Sequence, residues 1–279
     1  MKYLFFSDLD GTLLDHDTYS YDPARGAMAG LREKGFPLVL VSSKTYDEMK
    51  FIHNEMGLDA PFIFENGGGV FWPAGRGRIE YCGTEIAALR EEKQALESAV
   101  GEPVRFITDM GADEIVAVSG LSRERALLSQ RRKTSLPFVL PSGKKFRIDD
   151  LNRINELLSS RSLCITKGGR FYHFLSLRSD KGSAIRKVIA FYKKKFHDSI
   201  VTVGIGDSEN DIAMFRVVDI PVLVRKHDGT LIKTGIEHIR TTSHIGPEGF
   251  SEAVQDIMEG SSGSCTGRGH RRTSGRGHM

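Results

Sequence analysis

The chain has 279 residues, 39% of them apolar and 27% charged, a balance that suits a globular protein with a sizeable core and not a disordered one. No stretch approaches the roughly 20 apolar residues of a membrane span, and three cysteines without C-x-x-C spacing argue against a disulfide framework or a zinc ribbon. The formal charge of +3 arises at the C-terminal end, where Arg268, Arg271, Arg272 and Arg276 follow Glu259 without an acid; the rest sets 35 bases against 36 acids and is nearly neutral.

Residues 3–7 form a short apolar run that leads straight into Asp8, which predicts a buried strand ending at a polar site. The acids at 8 and 10 end any signal-peptide core, so a cytoplasmic location is expected. Asp22-Pro23 predicts a capped helix that stops near Gly35. Residues 37–41 are a second strand ending in Ser42-Ser43-Lys44, Thr45 and Glu48 make a capping box for a helix that stops at Gly57, and residues 62–64 are a third strand before Glu65-Asn66-Gly67-Gly68-Gly69. Strands alternating with helices predict a parallel sheet with ligands at its carboxyl ends.

From about Ile79 the pattern changes to a charged helical stretch at 84–100, short apolar runs at 104–107, 115–119 and 138–140, a basic segment at 131–133, a helix at 149–158, and a hairpin around Gly168-Gly169. The first pattern then resumes, with a helix from Lys181, strands at 200–203 and 221–224, and a closing helix at 249–258. The expected fold is α/β: a doubly wound, Rossmann-like parallel-sheet core (1–80 and 179–259) with an inserted α+β cap (81–178). Residues 260–279 are a Gly/Ser/Arg tail expected to be disordered; its Gly-Arg-Gly-His repeats lack aromatic residues for stacking, so nucleic-acid binding is not expected.

Asp8-Leu9-Asp10-Gly11-Thr12 is the sharpest chemical feature. Two carboxylates leave one strand end before a glycine that lets the chain turn; such oxygens suit magnesium, and a carboxylate can also take a phosphoryl group covalently. Taken with Ser42, Lys181 and Gly206-Asp207-Ser208-Glu209-Asn210-Asp211 in this order, the pentapeptide resembles the haloacid dehalogenase-like phosphatase superfamily, whose motifs are D-x-D-G-T, a Ser or Thr, a Lys, and G-D-x-x-N-D. The resemblance implies Asp8 as nucleophile and Asp10 as general acid and base. It also implies Asp8, Asp207 and the carbonyl of Asp10 on magnesium with Asp211 as a further ligand or anchor, Ser42 and Ser43 on the phosphoryl oxygens, and Lys181 neutralising the phosphate and Asp8. An insertion between the second and third motifs implies a cap that closes over a small organic phosphate.

Closer similarity lies in residues 41–45, 62–68, 167–173, 222–229 and 246–250, which look like the mannosyl-3-phosphoglycerate phosphatase family, whose members release phosphate to leave mannosylglycerate, a compatible solute. The implied substrate is a small phosphorylated sugar-glycerate. Asn66, Lys167, Arg170 and His173 are candidates to touch it, the last three through its carboxylate. That family carries an acid before Pro-Phe in its cap where this chain has Leu136; if that acid bonds sugar hydroxyls, Leu136 changes sugar recognition. A glucosyl-3-phosphoglycerate or other sugar-phosphate phosphatase, a mutase, and a non-catalytic protein on the same fold are the competing readings.

Overall fold

The computed structural model describes residues 2–197 and 199–262, without the side chains of 261 and 262. In chain order the elements are β1 (Lys2–Ser7), α1 (Arg25–Glu33), β2 (Leu38–Val41), α2 (Tyr46–Glu55), β3 (Phe62–Phe64), β4 (Gly69–Trp72) and β5 (Arg78–Tyr81). There follow α3 (Ile86–Glu91), α4 (Lys93–Val100), β6 (Arg105–Phe106), α5 (Ala112–Ser119), α6 (Arg123–Ser129), β7 (Ser135–Val139), α7 (Ile148–Ser159), β8 (Leu163–Lys167) and β9 (Tyr172–Ser176). The chain closes with α8 (Lys181–Phe196), β10 (Ile200–Gly206), α9 (Ile212–Phe215), β11 (Ile220–Arg225), β12 (Arg240–Ile245) and α10 (Gly246–Ser262).

The larger sheet has the order β12-β11-β10-β1-β2-β3-β4-β5 and is parallel from β12 to β3. β1 is central because every side chain after Lys2 is buried on one face or the other. The strand period of two then decides which helices it meets. Tyr3 and Phe5 pack with Leu31 of α1, Met49 of α2 and Phe250 of α10, whereas Leu4 and Phe6 pack with Ile185 and Val188 of α8 and Phe215 of α9. Helices on both faces leave the carboxyl ends of β1, β2, β3 and β10 as the edge where polar side chains can gather.

The smaller sheet, β6-β7-β9-β8, is antiparallel and has its own core of Leu89, Leu96, Phe106, Leu136, Phe138, Ile154, Leu158 and Phe174 under α3, α4 and α7. Its other face carries Ser135 and His173, and Ser135 Oγ donates to Glu65 just past β3, so this face looks onto the carboxyl edge of the larger sheet. Glu65 also accepts from the backbone N–H groups of Lys133 and Thr134 at 2.9 Å, which ties the two sheets together at one corner.

Several expectations change in detail. β4 and β5 extend the sheet as an antiparallel hairpin, which the glycines at 67–69 hid from a strand reading. β12 is a mostly exposed edge strand without an apolar signal. The 115–119 run is helical, within α5. Asp22 caps no helix; it sits in a single 3-10 turn and accepts from Arg25 Nε at 2.7 Å. α10 continues through 262, past the expected start of the tail, and the rest of that tail lies outside the described residues. Leu136 is buried in the cap core opposite Phe174, on the other face from His173, and does not line the cavity. Among the described residues no helix is long and apolar enough to cross a membrane.

Candidate active site

Asp8 and Asp10 follow β1, where the chain turns tightly: the N–H groups of Thr12 and Leu14 both donate to the Leu9 carbonyl. Gly11 adopts φ +79°, and a Cβ there would stand 2.8 Å from Asp207 Oδ2, so both the turn and its closeness to the next strand require glycine. Asp207 follows β10, the parallel neighbour of β1, and receives a long hydrogen bond from Thr12 Oγ1 at 3.4 Å. Asp8, Asp207 and Asp211 thereby bring carboxylate oxygens within 4.8 Å of one another.

Lys181 opens α8, whose first N–H groups are capped by the Asp180 carboxylate. Its ammonium donates to Asp8 Oδ1 at 2.8 Å and to Asp211 Oδ1 at 2.7 Å, with all three side chains buried. Asp211 Oδ2 accepts from the N–H groups of Asp207 and Ser208 and from Ser208 Oγ. Both Asp211 oxygens are therefore engaged by protein donors, and this acid fixes Lys181 and the 207–208 backbone.

Burial, reinforced by Asp211, pushes the Asp8 carboxyl up to about 7, with Lys181 pulling the other way. Burial, then Asp211 and Asp8, raise Asp207 well above the usual carboxylate range. Burial opposes the Lys181 charge, yet Asp211 and Asp8 outweigh it and raise its pKa. One ammonium thus faces three crowded acids. The excess negative charge and the all-oxygen donor set fit a hard divalent cation, which would let Asp8 and Asp207 ionise together.

Asp10 stands apart from that cluster. Its carboxylate pairs with Lys44 at 2.8 Å and faces the cavity. Burial disfavours the Lys44 charge, but Asp10 and Glu48 more than restore it. Ser43 borders the cavity beside Lys44, whereas Ser42 is fully buried behind it, with Oγ accepting the Lys44 N–H at 3.2 Å. Asn66 donates its N–H to the Ser42 carbonyl at 3.0 Å and is buried away from the cavity wall; neither side-chain amide atom has a partner among the described residues.

The cavity between the two sheets holds about 580 Å³, with Asp8, Asp10 and Asp207 at its floor and residues of β7, β9 and the 140–145 and 167–171 loops as its roof. Three residues absent from the sequence-derived site belong to it. Arg132, from the cap, is buried against the core: Nε donates to the Ser129 carbonyl, Nη1 donates to the Ser43 carbonyl at 2.6 Å, and Nη2 lies 3.8 Å from Glu48. Lys226 lines the floor and pairs with Glu209 at 3.4 Å. Tyr19, held at φ +58°, has Lys44, Arg125 and Arg170 over its ring at 5.3–5.5 Å. The basic run at 131–133 was the signal for Arg132; the chain order held none for Tyr19.

Of the cap candidates, Lys167 and His173 line the cavity. Arg170 also borders it, but its guanidinium donates to Tyr19 Oη and to the His16 carbonyl, so it fastens the cap hairpin to the core. His16 beside it stacks on His227 with centroids 4.0 Å apart. His173 is held neutral: burial, then Arg132 and Lys181, push its pKa down to about 3, so it offers a neutral imidazole and no charge for a carboxylate. Its Nδ1 has no partner among the described residues.

Comparisons with known proteins agree with this geometry. A family described as haloacid dehalogenase-like hydrolase matches residues 5–82 and 136–242, leaving out the segment with α3–α6. A glucosyl-3-phosphoglycerate/mannosyl-3-phosphoglycerate phosphatase of Persephonella marina is 35% identical over 265 residues, covering 91% of this chain and 97% of the relative. A phosphatase of the same description from Methanococcoides burtonii is 35% identical over 275 residues, covering 92% and 98%. The solved structure of a haloacid dehalogenase-like hydrolase from Bacteroides thetaiotaomicron superposes with a TM-score of 0.63 at 16% identity, over 92% of this chain and 100% of that one, a likeness of fold.

Proposed function

This chain belongs to the haloacid dehalogenase-like hydrolase family, among the glucosyl-3-phosphoglycerate/mannosyl-3-phosphoglycerate phosphatases, and on that footing we propose that it hydrolyses mannosyl-3-phosphoglycerate to mannosylglycerate and phosphate through an aspartyl-phosphate on Asp8. It is a phosphoric monoester hydrolase. The observation that carries the mechanistic reading is the buried set of Asp8, Lys181, Asp211 and Asp207 at the adjacent carboxyl ends of β1 and β10, opening into a covered cavity.

Lys181 occupies Asp8 Oδ1, which leaves Oδ2 to form the new bond to phosphorus. As that bond forms, the ester P–O bond breaks and the leaving oxygen takes a proton from Asp10, which has to enter this step protonated and released from its Lys44 pair. In the second half Asp10 accepts a proton from water, the water oxygen bonds to phosphorus, and the Asp8–phosphorus bond breaks, so phosphate leaves and both acids return to their starting states. Lys181 remains beside Asp8 throughout and offsets the charge gathering there. The Ser43 peptide, whose carbonyl accepts from Arg132, would meet the phosphoryl oxygens, with the Ser42 hydroxyl accepting the Lys44 N–H beneath it. Asp8, Asp207 and the Asp10 carbonyl would hold magnesium, which would supply positive charge against the phosphoryl oxygens. The cap keeps bulk water from the aspartyl-phosphate until the alcohol has gone.

The test is phosphate release from mannosyl-3-phosphoglycerate with and without magnesium, beside glucosyl-3-phosphoglycerate. Magnesium-dependent turnover with kcat/KM favouring the mannosyl compound is the expected result. Comparable turnover of both would widen the substrate class to the pair named for the two relatives. Failure on both, with turnover of simpler sugar phosphates, would move the substrate elsewhere while leaving the chemistry in place.

A further inference from the structure

The cations around the cavity divide into two groups. At the floor each has an acid partner: Lys181 with Asp8 and Asp211, Lys44 with Asp10, Lys226 with Glu209, and Arg132 beside Glu48. Arg170 is engaged with Tyr19 and the His16 carbonyl. Lys144, Lys145 and Lys167 line the same cavity from the cap, and none of them has an acid within ion-pairing distance among the described residues.

These three lysines share one end of the cap sheet. Lys167 ends β8 and lies opposite Tyr172 in the ladder. Tyr172 Oη accepts the Phe146 N–H at 2.7 Å, and the two rings pack with centroids 4.9 Å apart, which fastens the loop carrying Lys144 and Lys145 beside that ladder pair. Gly143, in the left-handed region at φ +71°, turns the chain immediately before them. The loop is therefore a positioned part of the wall.

We propose that Lys144, Lys145 and Lys167 form an anion subsite that takes a carboxylate on the leaving group and so orients the substrate along the cavity. The proposal rests on the phosphatase reading above and adds the group that is recognised. The charge distribution gives the reason. A floor holding Asp8, Asp10, Asp207, Glu48 and Glu209 repels any second anion once the phosphoryl group is seated, so a carboxylate is more stable at the far end, where Lys144, Lys145 and Lys167 have no acid in ion-pairing contact among the described residues and only Asp150 acts on Lys144 from a distance. Lysines at an exposed rim bind through long-range attraction and not through a fixed bidentate fork, so the interaction is screened by salt and helps ground state and transition state alike.

The test compares wild type with the Lys144→Gln/Lys145→Gln double variant and with Lys167→Gln. The substrates are mannosyl-3-phosphoglycerate, 3-phosphoglycerate, which keeps the carboxylate without the sugar, and p-nitrophenyl phosphate, which has neither. The double variant is expected to raise KM for both carboxylate-bearing esters roughly 5- to 20-fold with kcat nearly unchanged, and to leave p-nitrophenyl phosphate within about twofold. Raising the ionic strength should raise the wild-type KM for the carboxylate esters and flatten that response in the variant. Equal effects on all three esters, or none on any, would overturn the subsite. If wild type ignores mannosyl-3-phosphoglycerate but hydrolyses 3-phosphoglycerate with a KM that depends on these lysines, the sugar assignment fails and the subsite stands.

Discussion

The floor and the roof of the cavity are built on opposite principles. At the floor, Lys181 is 2% exposed, and Lys181, Lys44 and Lys226 each pair with an acid across 2.7–3.4 Å. At the roof, Tyr172 Oη accepts the Phe146 N–H and holds the loop, and Lys144, Lys145 and Lys167 line the cavity with no acid in ion-pairing distance among the described residues. A site for bond making must hold its groups fixed and desolvated, since misplacement there costs rate directly. A site for recognition has to leave binding capacity unspent until the ligand arrives. Changes at the floor should therefore act on kcat and on stability together, and changes at the roof on KM.

The largest expected effect is Asp8→Asn, which keeps the shape and the hydrogen-bond acceptor but removes the nucleophile; kcat should fall by at least about 10⁴-fold, measured as phosphate release. Residual turnover within tenfold of wild type would refute the aspartyl-phosphate. Next is withdrawal of divalent metal with a chelator, expected to abolish measurable turnover and to be reversed by added magnesium. If turnover persists without metal, the crowded acids at the floor have another function. Arg132→Met follows: it frees the Ser43 carbonyl and leaves Glu48 without its cap partner, so kcat/KM should fall roughly 10- to 100-fold and the melting temperature should drop. A KM-only effect would place Arg132 with the roof. Arg170→Gln, which loosens the cap hairpin from Tyr19 and His16, should raise KM a few-fold with kcat kept within about twofold.

The smallest effect is one of stability. A carboxyl whose folded pKa is raised binds its proton more tightly in the native state, so native stability is lost as pH climbs between the unfolded and folded values, here from 3.8 to about 7 for Asp8. At pH 8 without divalent metal, Asp8→Asn should melt a few degrees above wild type, corresponding to on the order of 1–2 kcal/mol, and the gap should close near pH 4. A variant that melts lower at pH 8 would mean that the Lys181 pair outweighs the repulsion among the acids.

The chain order made the core largely readable. The runs ending at Ser7, Val41 and Phe64 are strands because buried parallel strands need continuous apolar side chains, and Thr45 with Glu48 forms the capping box that its spacing implies. Asp8, Lys181, Asp207 and Asp211 do meet. The roof was harder. Arg170 and His173 looked like ligands for a carboxylate, yet one fastens to Tyr19 and the other is kept neutral by burial and by Arg132. Leu136, where a change in the sugar site was in question, is a buried residue of the cap core.

Local features decided the first part. A strand period, a capping box and a D-x-D-G-T turn act over a few residues, where backbone sterics and hydrogen bonding leave few alternatives. Only the tertiary structure could decide which lysines are paired, because the partner of Lys44 lies 34 residues back and that of Lys226 17 residues back, and whether a cation is free for a ligand depends on the acids that folding brings beside it. Charge pairing is a property of distance in space, and along the chain all of these side chains carry the same letter.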